Sequence, residues 1–256
     1  PCFERFVPAP VGPATGTPLV LLPGGGSTIQ ATYGRFLPLV SRQRRVLAFE
    51  EEGHGRSDAH PGPSRFEQSA DDVAAALAQL GIAEADVMGF SNGASVALQV
   101  AIRHPAQVRR LVFASSFTTR AGAQGWLWPM LAKAGFDGMP EVLKAEFLRV
   151  NPDTVALRRM HDRDLERMHA FADVPEALVR GIRARTLILC GDHDIVTLDH
   201  ALELTRTIEG ARLLVLPGGH GDWLGEINAP ARPRAIEATA ALRLTRNPDD
   251  ARDLVQ

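Results

Sequence analysis

The chain has 256 residues, of which 45% are hydrophobic and 23% charged, and its formal net charge at neutral pH is -2. This balance is typical of one large globular α/β domain and excludes a disordered or fibrous chain. A nearly neutral charge gives no electrostatic basis for binding nucleic acid, an anionic membrane surface or a polyanionic substrate.

The two cysteines, Cys2 and Cys190, lie far apart in the chain. Neither a disulfide framework nor a cysteine-ligated metal is therefore predicted, and a reducing cytoplasm is the expected compartment. No apolar run approaches the roughly 20 residues needed to cross a bilayer, and no signal peptide is recognised. We expect a cytoplasmic protein that does not interact with membranes.

Six short apolar runs predict buried strands, because they are nearly continuous in hydrophobicity. In chain order these runs are Pro18–Leu22, Arg45–Phe49, Asp86–Phe90, Arg110–Ala114, Thr186–Cys190 and Arg212–Leu216. Segments with helical spacing lie between them, most clearly at Phe66–Leu80 and Asn92–Arg103. The alternation predicts an α/β fold with a mostly parallel, doubly wound sheet and helices on both faces.

The alternation breaks once, between the fourth and fifth predicted strands, where several helix-like pieces divided by prolines follow one another. We predict a helical cap over residues 117–183, inserted into a core domain formed by residues 1–116 and 184–256. The cap is rich in methionine and tryptophan, which predicts an apolar pocket beneath it. Its candidate lining residues are Gly26, Trp126, Trp128 and Met130, although each cap residue could simply pack the cap onto the sheet.

The strongest local motif is Gly89-Phe90-Ser91-Asn92-Gly93, between the third predicted strand and a helix. A serine on so tight a turn is held in a strained conformation, and flanking glycines avoid collisions with neighbouring backbone. The turn presents the hydroxyl at the carboxyl edge of the sheet, beside the free N–H groups of a helix. Ser91 is the predicted nucleophile, and the alternative is an ordinary helix-capping serine.

A serine hydroxyl needs a base at neutral pH, and catalytic groups in such sheets gather at the carboxyl ends of strands. His220 follows the last predicted strand in a glycine-rich loop and is the predicted base. A carboxylate must orient the imidazole, and Asp192 and Asp194 both follow the fifth strand. We favour Asp194, with Asp192 binding backbone N–H groups of its loop as the alternative.

The oxyanion of an acyl-transfer reaction needs two donors. The backbone N–H of Asn92 and that of Gly25, in the glycine run after the first strand, are the candidates, with Gly26 as an alternative to Gly25. The run lacks the Gly-Lys-Ser/Thr and Gly-x-Gly-x-x-Gly patterns of nucleotide sites. A nucleotide cofactor is therefore not expected, and the proposed chemistry requires neither a metal nor another organic cofactor. The expected partner is a small-molecule substrate, and the sequence leaves the oligomeric state open.

Taken together, these motifs resemble the α/β-hydrolase superfamily over nearly the full length of the chain, with the triad in the order serine, aspartate, histidine. The turn Gly53-His54-Gly55-Arg56-Ser57 and the segment from Arg103 to Val108 also resemble family turns, which implies that His54 is structural. Two positions depart from the family pattern. Pro23 replaces a common histidine, and Glu50-Glu51-Glu52 replaces an aspartate-x-arginine, so that Glu50 lies either at the pocket mouth or in a solvated run of charge, which we favour.

The resemblance is greatest to small capped enzymes that include esterases, enol-lactonases, cofactor-free haloperoxidases and carbon–carbon bond hydrolases. Dehalogenases and epoxide hydrolases of this superfamily carry aspartate in the turn between strand and helix where this chain has Ser91. A serine at this position implies acyl transfer. The expected function is hydrolysis of a small, largely apolar carboxylic ester or lactone through an acyl-enzyme on Ser91. One alternative is carbon–carbon hydrolysis of a keto acid, with Arg158 and Arg159 binding its carboxylate, and another is a binding protein without catalysis.

Overall fold

The computed structural model describes residues 16–42 and 44–225 and the backbone of Val7–Pro8. Within these ranges one sheet of seven strands runs in the order β1-β3-β2-β4-β5-β6-β7. The strands are β1 (Val7–Pro8), β2 (Leu19–Leu22), β3 (Val46–Ala48), β4 (Ala85–Phe90), β5 (Val108–Ala114), β6 (Arg185–His193) and β7 (Arg212–Gly219). All neighbouring pairs are parallel except β1 with β3, so the predicted mostly parallel, doubly wound sheet is confirmed.

Nine helices accompany the strands in the described ranges. They are α1 (Ile29–Tyr33), α2 (Leu37–Val40), α3 (Phe66–Gln79), α4 (Asn92–Arg103), α5 (Leu127–Leu131), α6 (Glu141–Val150), α7 (Thr154–His169), α8 (Glu176–Arg180) and α9 (Leu198–Thr207). None of them is both long and apolar enough to cross a membrane.

The two faces of the sheet bury separate apolar layers, as the alternation of side chains along a strand requires. In β2, Val20 and Leu22 face the layer formed with α3, α4 and α9. Leu19 and Leu21 face the opposite layer, formed with α1, α2 and the segment around Trp223. Each central strand is therefore covered on both sides, which explains the nearly continuous apolar runs in the sequence.

Helices α5 to α8 occupy the interval between β5 and β6, where the sequence predicts an inserted cap. The helices α6 and α7 form a small apolar cluster of their own with α1. Phe147 and Met160 are its most buried members from these two helices, and Ala31 is the contribution of α1. This contact places α7 above the loop that follows β2, while the predicted cap limits of 117–183 remain a prediction.

The edge strand β1 is absent from the predicted elements, because a segment of two residues is too short to show the run or alternation of apolar side chains that marks a strand. Two further predictions, on Cys2 and on residues 226–256 of the core domain, concern parts of the chain outside the described residues. The six predicted strands each overlap an observed one, and β6 and β7 extend three residues further toward the carboxyl edge than predicted.

We expect Leu111→Ala in β5 to lower the free energy of unfolding by about 2–5 kcal/mol, because it leaves a cavity in a closely packed layer. Leu111 is 0% exposed, whereas Leu202 in α9 is 39% exposed, so Leu202→Ala is the matched control. Urea unfolding of both variants measures the difference. Equal losses would contradict the assignment of Leu111 to the core.

Candidate active site

Ser91 lies at the turn between β4 and α4, with φ 55° and ψ -122°. A non-glycine residue with positive φ is strained, and the surrounding backbone must hold it in place. Its N–H donates to the carbonyl of Ala114, at 2.9 Å. A Cβ atom on Gly89 would collide with the backbone of Gly93, and one on Gly93 with the carbonyl of Leu22. Both glycines are therefore required for the turn that presents the hydroxyl.

His220, in the loop after β7, reaches Ser91 across the sheet edge. Its Nε2 lies 3.0 Å from Ser91 Oγ, and its Nδ1 lies 2.7 Å from Asp194 Oδ1. The ring also packs against Phe90, with centroids 4.7 Å apart. A carboxylate can only accept, so Nδ1 carries the ring hydrogen and Nε2 offers its lone pair to the serine hydroxyl. This tautomer is the one that a general base requires.

Asp194 is 2% exposed and fixed by donors on both oxygens. Its Oδ1 accepts from the N–H of Ile195 at 2.8 Å, and its Oδ2 accepts from the N–H of Gly191 at 2.9 Å and from Ser115 Oγ at 2.5 Å. Ser115 follows β5, has φ 55° and accepts from Trp223 Nε1 at 3.3 Å. The strand between those of the serine and the aspartate thus supplies a further anchor.

The charge of Asp194 is favoured despite its burial. Burial alone raises the pKa of this carboxyl, but the hydrogen bond and charge of His220 and the donors of Gly191 and Ser115 outweigh it. The pKa therefore lies below its ordinary value. An ionised carboxylate here stabilises the imidazolium that forms when His220 accepts a proton.

Asp192 has a different environment from Asp194. It is exposed, and its Oδ1 accepts from the N–H of Gly218 at 2.8 Å and from His193 Nδ1 at 2.8 Å. These contacts join the carboxyl ends of β6 and β7. Of the two predicted carboxylates, Asp194 contacts His220, whereas Asp192 accepts from the backbone N–H of Gly218.

The glycine run after β2 lies beside Ser91. The N–H of Gly24 donates to Thr32 Oγ1 at 3.3 Å, and that of Gly26 donates to Asp164 Oδ2 at 2.6 Å. The backbone N–H groups of Gly25 and Asn92 have no acceptor among the described residues. Both can therefore donate to a bound group, whereas the N–H of the alternative donor, Gly26, is engaged by Asp164.

A buried cluster of charges around α7 was missed by the sequence analysis. Asp164 in α7 accepts from His54 Nε2 at 3.0 Å and from Arg167 Nη2 at 2.7 Å. Arg167 Nη1 donates in turn to Glu51 Oε2 at 2.5 Å, and its guanidinium stacks on Phe66. The only sequence signal was the pair Asp164 and Arg167, one helical turn apart on α7, which does not point to residues more than 100 positions earlier.

His54 is positively charged in this cluster. Its Nδ1 faces the carbonyl of Glu52 at 3.0 Å and its Nε2 faces Asp164, both of which can only accept hydrogen bonds. Burial alone would lower the pKa of His54, but the charge and hydrogen bond of Asp164, aided by Glu51, raise it to about 9. The positive charges of His54 and Arg167, together with the N–H of Gly26, hold the pKa of Asp164 well below its ordinary range, although burial acts in the opposite direction.

The run Glu50-Glu51-Glu52 is buried, so its preferred interpretation as a solvated run of charge is wrong. Glu50 pairs with Arg56 at 3.1 Å and accepts from the N–H of Ile29, and Glu52 pairs with Arg163 at 2.9 Å. A charged run looks solvated in a sequence because the cations that compensate for its burial come from other parts of the chain.

Of the predicted pocket residues, two are largely exposed and one packs against other aromatic rings. Trp126 is 53% and Met130 48% exposed, and Trp128 stacks with Phe117 and Phe171. Gly26 lies near the loop but contacts Asp164 and the side chain of Met139.

A cavity of about 710 Å³ lies between α3, α4 and the end of α7. Its lining residues include Phe66, Ser95, Gln99, Phe117, Arg167 and Phe171. Ser91 and His220 do not line it, although Ser95 lies one turn along α4 from the nucleophile turn.

Among the described residues, the thiol of Cys190 is not a reactive nucleophile. Burial raises the pKa of the Cys190 thiol to about 12, which keeps it protonated. No group of three or more histidine, cysteine, aspartate or glutamate side chains in the described ranges could hold a metal ion.

Comparisons with known proteins place these features in context. Residues 17–134 match a family model described as alpha/beta hydrolase fold. Pyrrolizixenacetamide deacetylase of Xenorhabdus hominickii is 27% identical over 80% of this chain and 84% of its own length. 2-Hydroxymuconate semialdehyde hydrolase of Pseudomonas sp. (strain CF600) is 29% identical, over 81% of each chain. The solved enol-lactonase from Burkholderia xenovorans LB400 has a TM-score of 0.67 at 23% identity, covering 91% of this chain and 92% of its own.

We expect the stabilisation contributed by the His54 proton to be lost at alkaline pH. Because the folded-state pKa is raised to about 9, the contribution is complete below pH 6.5 and disappears as the pH rises through about 9. Urea unfolding of the wild type and of His54→Asn should differ most at pH 6, and the gap should narrow by up to about 1.4 kcal/mol per pH unit between these limits. A gap that is constant from pH 6 to 9.5 would contradict the charged state of His54.

Proposed function

We propose that this chain, which has the α/β-hydrolase fold, is a serine hydrolase that cleaves a small, uncharged carboxylic ester or lactone through an acyl-enzyme on Ser91. The observation that carries the proposal is the continuous line from Ser91 Oγ through His220 to Asp194, with separations of 3.0 and 2.7 Å. A hydroxyl, an imidazole and a buried carboxylate in this order activate the hydroxyl for acyl transfer.

In the first step, Ser91 Oγ attacks the acyl carbon while its proton moves to His220 Nε2. The charge of Asp194 stabilises the resulting imidazolium through Nδ1. His220 then gives the proton to the leaving alkoxide oxygen, the carbon–oxygen bond of the ester breaks, and the acyl group stays on Ser91. In the second step water attacks the acyl-enzyme, with His220 again accepting the proton and returning it to Ser91 Oγ.

The tetrahedral oxyanion formed in both steps binds to the N–H groups of Gly25 and Asn92. Two features support this assignment: both donors lack an acceptor among the described residues, and Asn92 opens the 12-residue helix α4. A helix amino terminus adds a partial positive charge where negative charge develops.

The preference for an uncharged substrate rests on the charges around the loop. The buried side chains next to it, Glu51, Asp164, His54 and Arg167, carry two negative and two positive charges paired with one another. No net charge is thus left over to bind an ionic group of a substrate. An ester or lactone of modest size meets this requirement.

The second candidate is carbon–carbon hydrolysis, favoured by the likeness to 2-hydroxymuconate semialdehyde hydrolase. Arg158 and Arg159, expected to bind the keto-acid carboxylate, are both exposed on α7, and Arg158 approaches Asp162 at 3.7 Å. Measuring turnover of a dienoic keto acid beside that of a butyrate ester separates the two functions, and the ester should be hydrolysed faster.

Ser91→Ala should reduce hydrolysis of p-nitrophenyl butyrate by several orders of magnitude, on the order of 10⁶-fold if the three groups act as a unit. The matched control is Ser41→Ala, at the end of α2, which should retain wild-type turnover. Initial rates under saturating ester measure both variants. Equal activity of Ser91→Ala and the control would refute the proposed nucleophile.

Asp192, at the end of β6, and Asp194, directly after it, provide a second matched pair. Asp194→Asn should lower kcat by about 10⁴-fold, because an amide favours the wrong tautomer of His220. Asp192→Asn should stay within a few fold of the wild type, since its contacts are to loop atoms. Steady-state kinetics on the same ester decide the assignment, and the reverse order of losses would make Asp192 the triad acid.

A further inference from the structure

The loop that carries the proposed oxyanion donor is held by a side chain from the cap. Asp164 belongs to α7, yet its Oδ2 accepts from the N–H of Gly26 at 2.6 Å, a contact between residues 138 positions apart. The same oxygen accepts from His54 Nε2 at 3.0 Å. One cap carboxylate thus joins α7, the loop after β2 and the turn after β3.

This contact restrains the orientation of Gly25. Its two flanking N–H groups are both engaged, that of Gly24 by Thr32 Oγ1 and that of Gly26 by Asp164. These bonds hold the Pro23–Gly24 and Gly25–Gly26 peptide planes, which flank the Gly24–Gly25 plane that carries the Gly25 N–H, and they restrain backbone dihedrals that glycine would otherwise vary freely. Gly26 itself has φ 65°, a conformation that glycine adopts without strain. The N–H of Gly25 is consequently the one donor of the three that is held in place without an acceptor.

Space around Gly25 is limited on the same side. A Cβ atom built on Gly25 would lie 3.0 Å from Asp164 Oδ2 and closer still to the side-chain amide of Asn92. Asp164 therefore crowds the position that a side chain on Gly25 would occupy. Asn92, the source of the second donor, is the other neighbour.

The charges of the cluster hold Asp164 in position. Arg167 donates to Asp164 Oδ1 at 2.7 Å and to Glu51 at 2.5 Å, and both Arg167 and Glu51 are buried. With His54 protonated, two anions and two cations balance. Removing one member leaves an uncompensated buried charge, so the arrangement is rigid rather than adaptable.

We propose that Asp164 is a positioning residue for acyl transfer, a cap carboxylate that fixes the Gly25–Gly26 backbone so that the Gly25 N–H faces the developing oxyanion. The proposal rests on the proposed function, since it assigns a role in the oxyanion site of that reaction. It also implies that the oxyanion site is complete only when α7 packs against the loop after β2, because Asp164 moves away from Gly26 if the helix moves away.

The test compares Asp164→Asn with the wild type, using kcat and KM for p-nitrophenyl butyrate and inhibition by 1,1,1-trifluoropentan-2-one. In this inhibitor Ser91 Oγ adds to the ketone carbon, the serine proton passes to His220, and the carbonyl oxygen becomes an oxyanion that occupies the donors of Gly25 and Asn92. Pentan-2-one, which resists this addition, reports on binding of the ground state.

Asp164→Asn should lower kcat about 10- to 100-fold with little change in KM, because a misdirected donor weakens binding of the transition state alone. Affinity for the trifluoromethyl ketone should fall by a similar factor, and inhibition by pentan-2-one should not change. Glu166→Gln, an exposed carboxylate on the same helix, is the matched control and should resemble the wild type.

A charge-neutral double variant, His54→Asn with Asp164→Asn, covers the case in which the single variant does not fold. It removes one anion and one cation together and also lacks the carboxylate on Gly26. Unchanged affinity for the trifluoromethyl ketone in either folded variant would overturn the proposal. A wild type that neither hydrolyses the ester nor reacts with this ketone would instead overturn the proposed function.

Discussion

The chemistry attributed to this chain depends on one constraint: the imidazole of His220 must bridge Ser91 Oγ and Asp194 across three strands of the sheet. The separations of 3.0 and 2.7 Å leave no room for an intervening atom. Parallel strands make this possible, because their carboxyl ends lie at one edge and loops distant in the chain meet there. Ser115, after the intervening strand, closes the arrangement by donating to Asp194.

A second constraint comes from α7. In the loop that follows β2, the N–H of Gly25 has no acceptor among the described residues, whereas that of Gly24 donates to Thr32 and that of Gly26 donates to Asp164. The buried charges behind Asp164 are mutually paired, so they stabilise this geometry without creating a site for an ionic substrate. Ser91 and the N–H groups of Gly25 and Asn92 thus lie in segments that follow β4 and β2, and Asp164 of α7 bonds to the loop that carries Gly25.

The sheet and the position of Ser91 could be predicted from sequence, because apolar runs and the glycines on either side of Ser91 are local signals. His220 and Asp194 could be named from their places after the last two long strands. The cluster of His54, Asp164 and Arg167 could not, since it depends on contacts between segments over 100 residues apart. For the same reason the burial of Glu50-Glu51-Glu52 and the exposure of Trp126 and Met130 were not predictable, because composition does not fix how the cap helices lie.

The most direct test of the central claim is covalent labelling by a fluorophosphonate, followed by peptide mapping of the modified residue. An activated serine hydroxyl attacks phosphorus and displaces fluoride, whereas an ordinary serine hydroxyl does not react at neutral pH. We predict a single adduct on Ser91 in the wild type and no adduct when His220 is replaced by alanine. An unlabelled wild-type protein, or an adduct at Ser91 that forms equally fast without His220, would contradict the account.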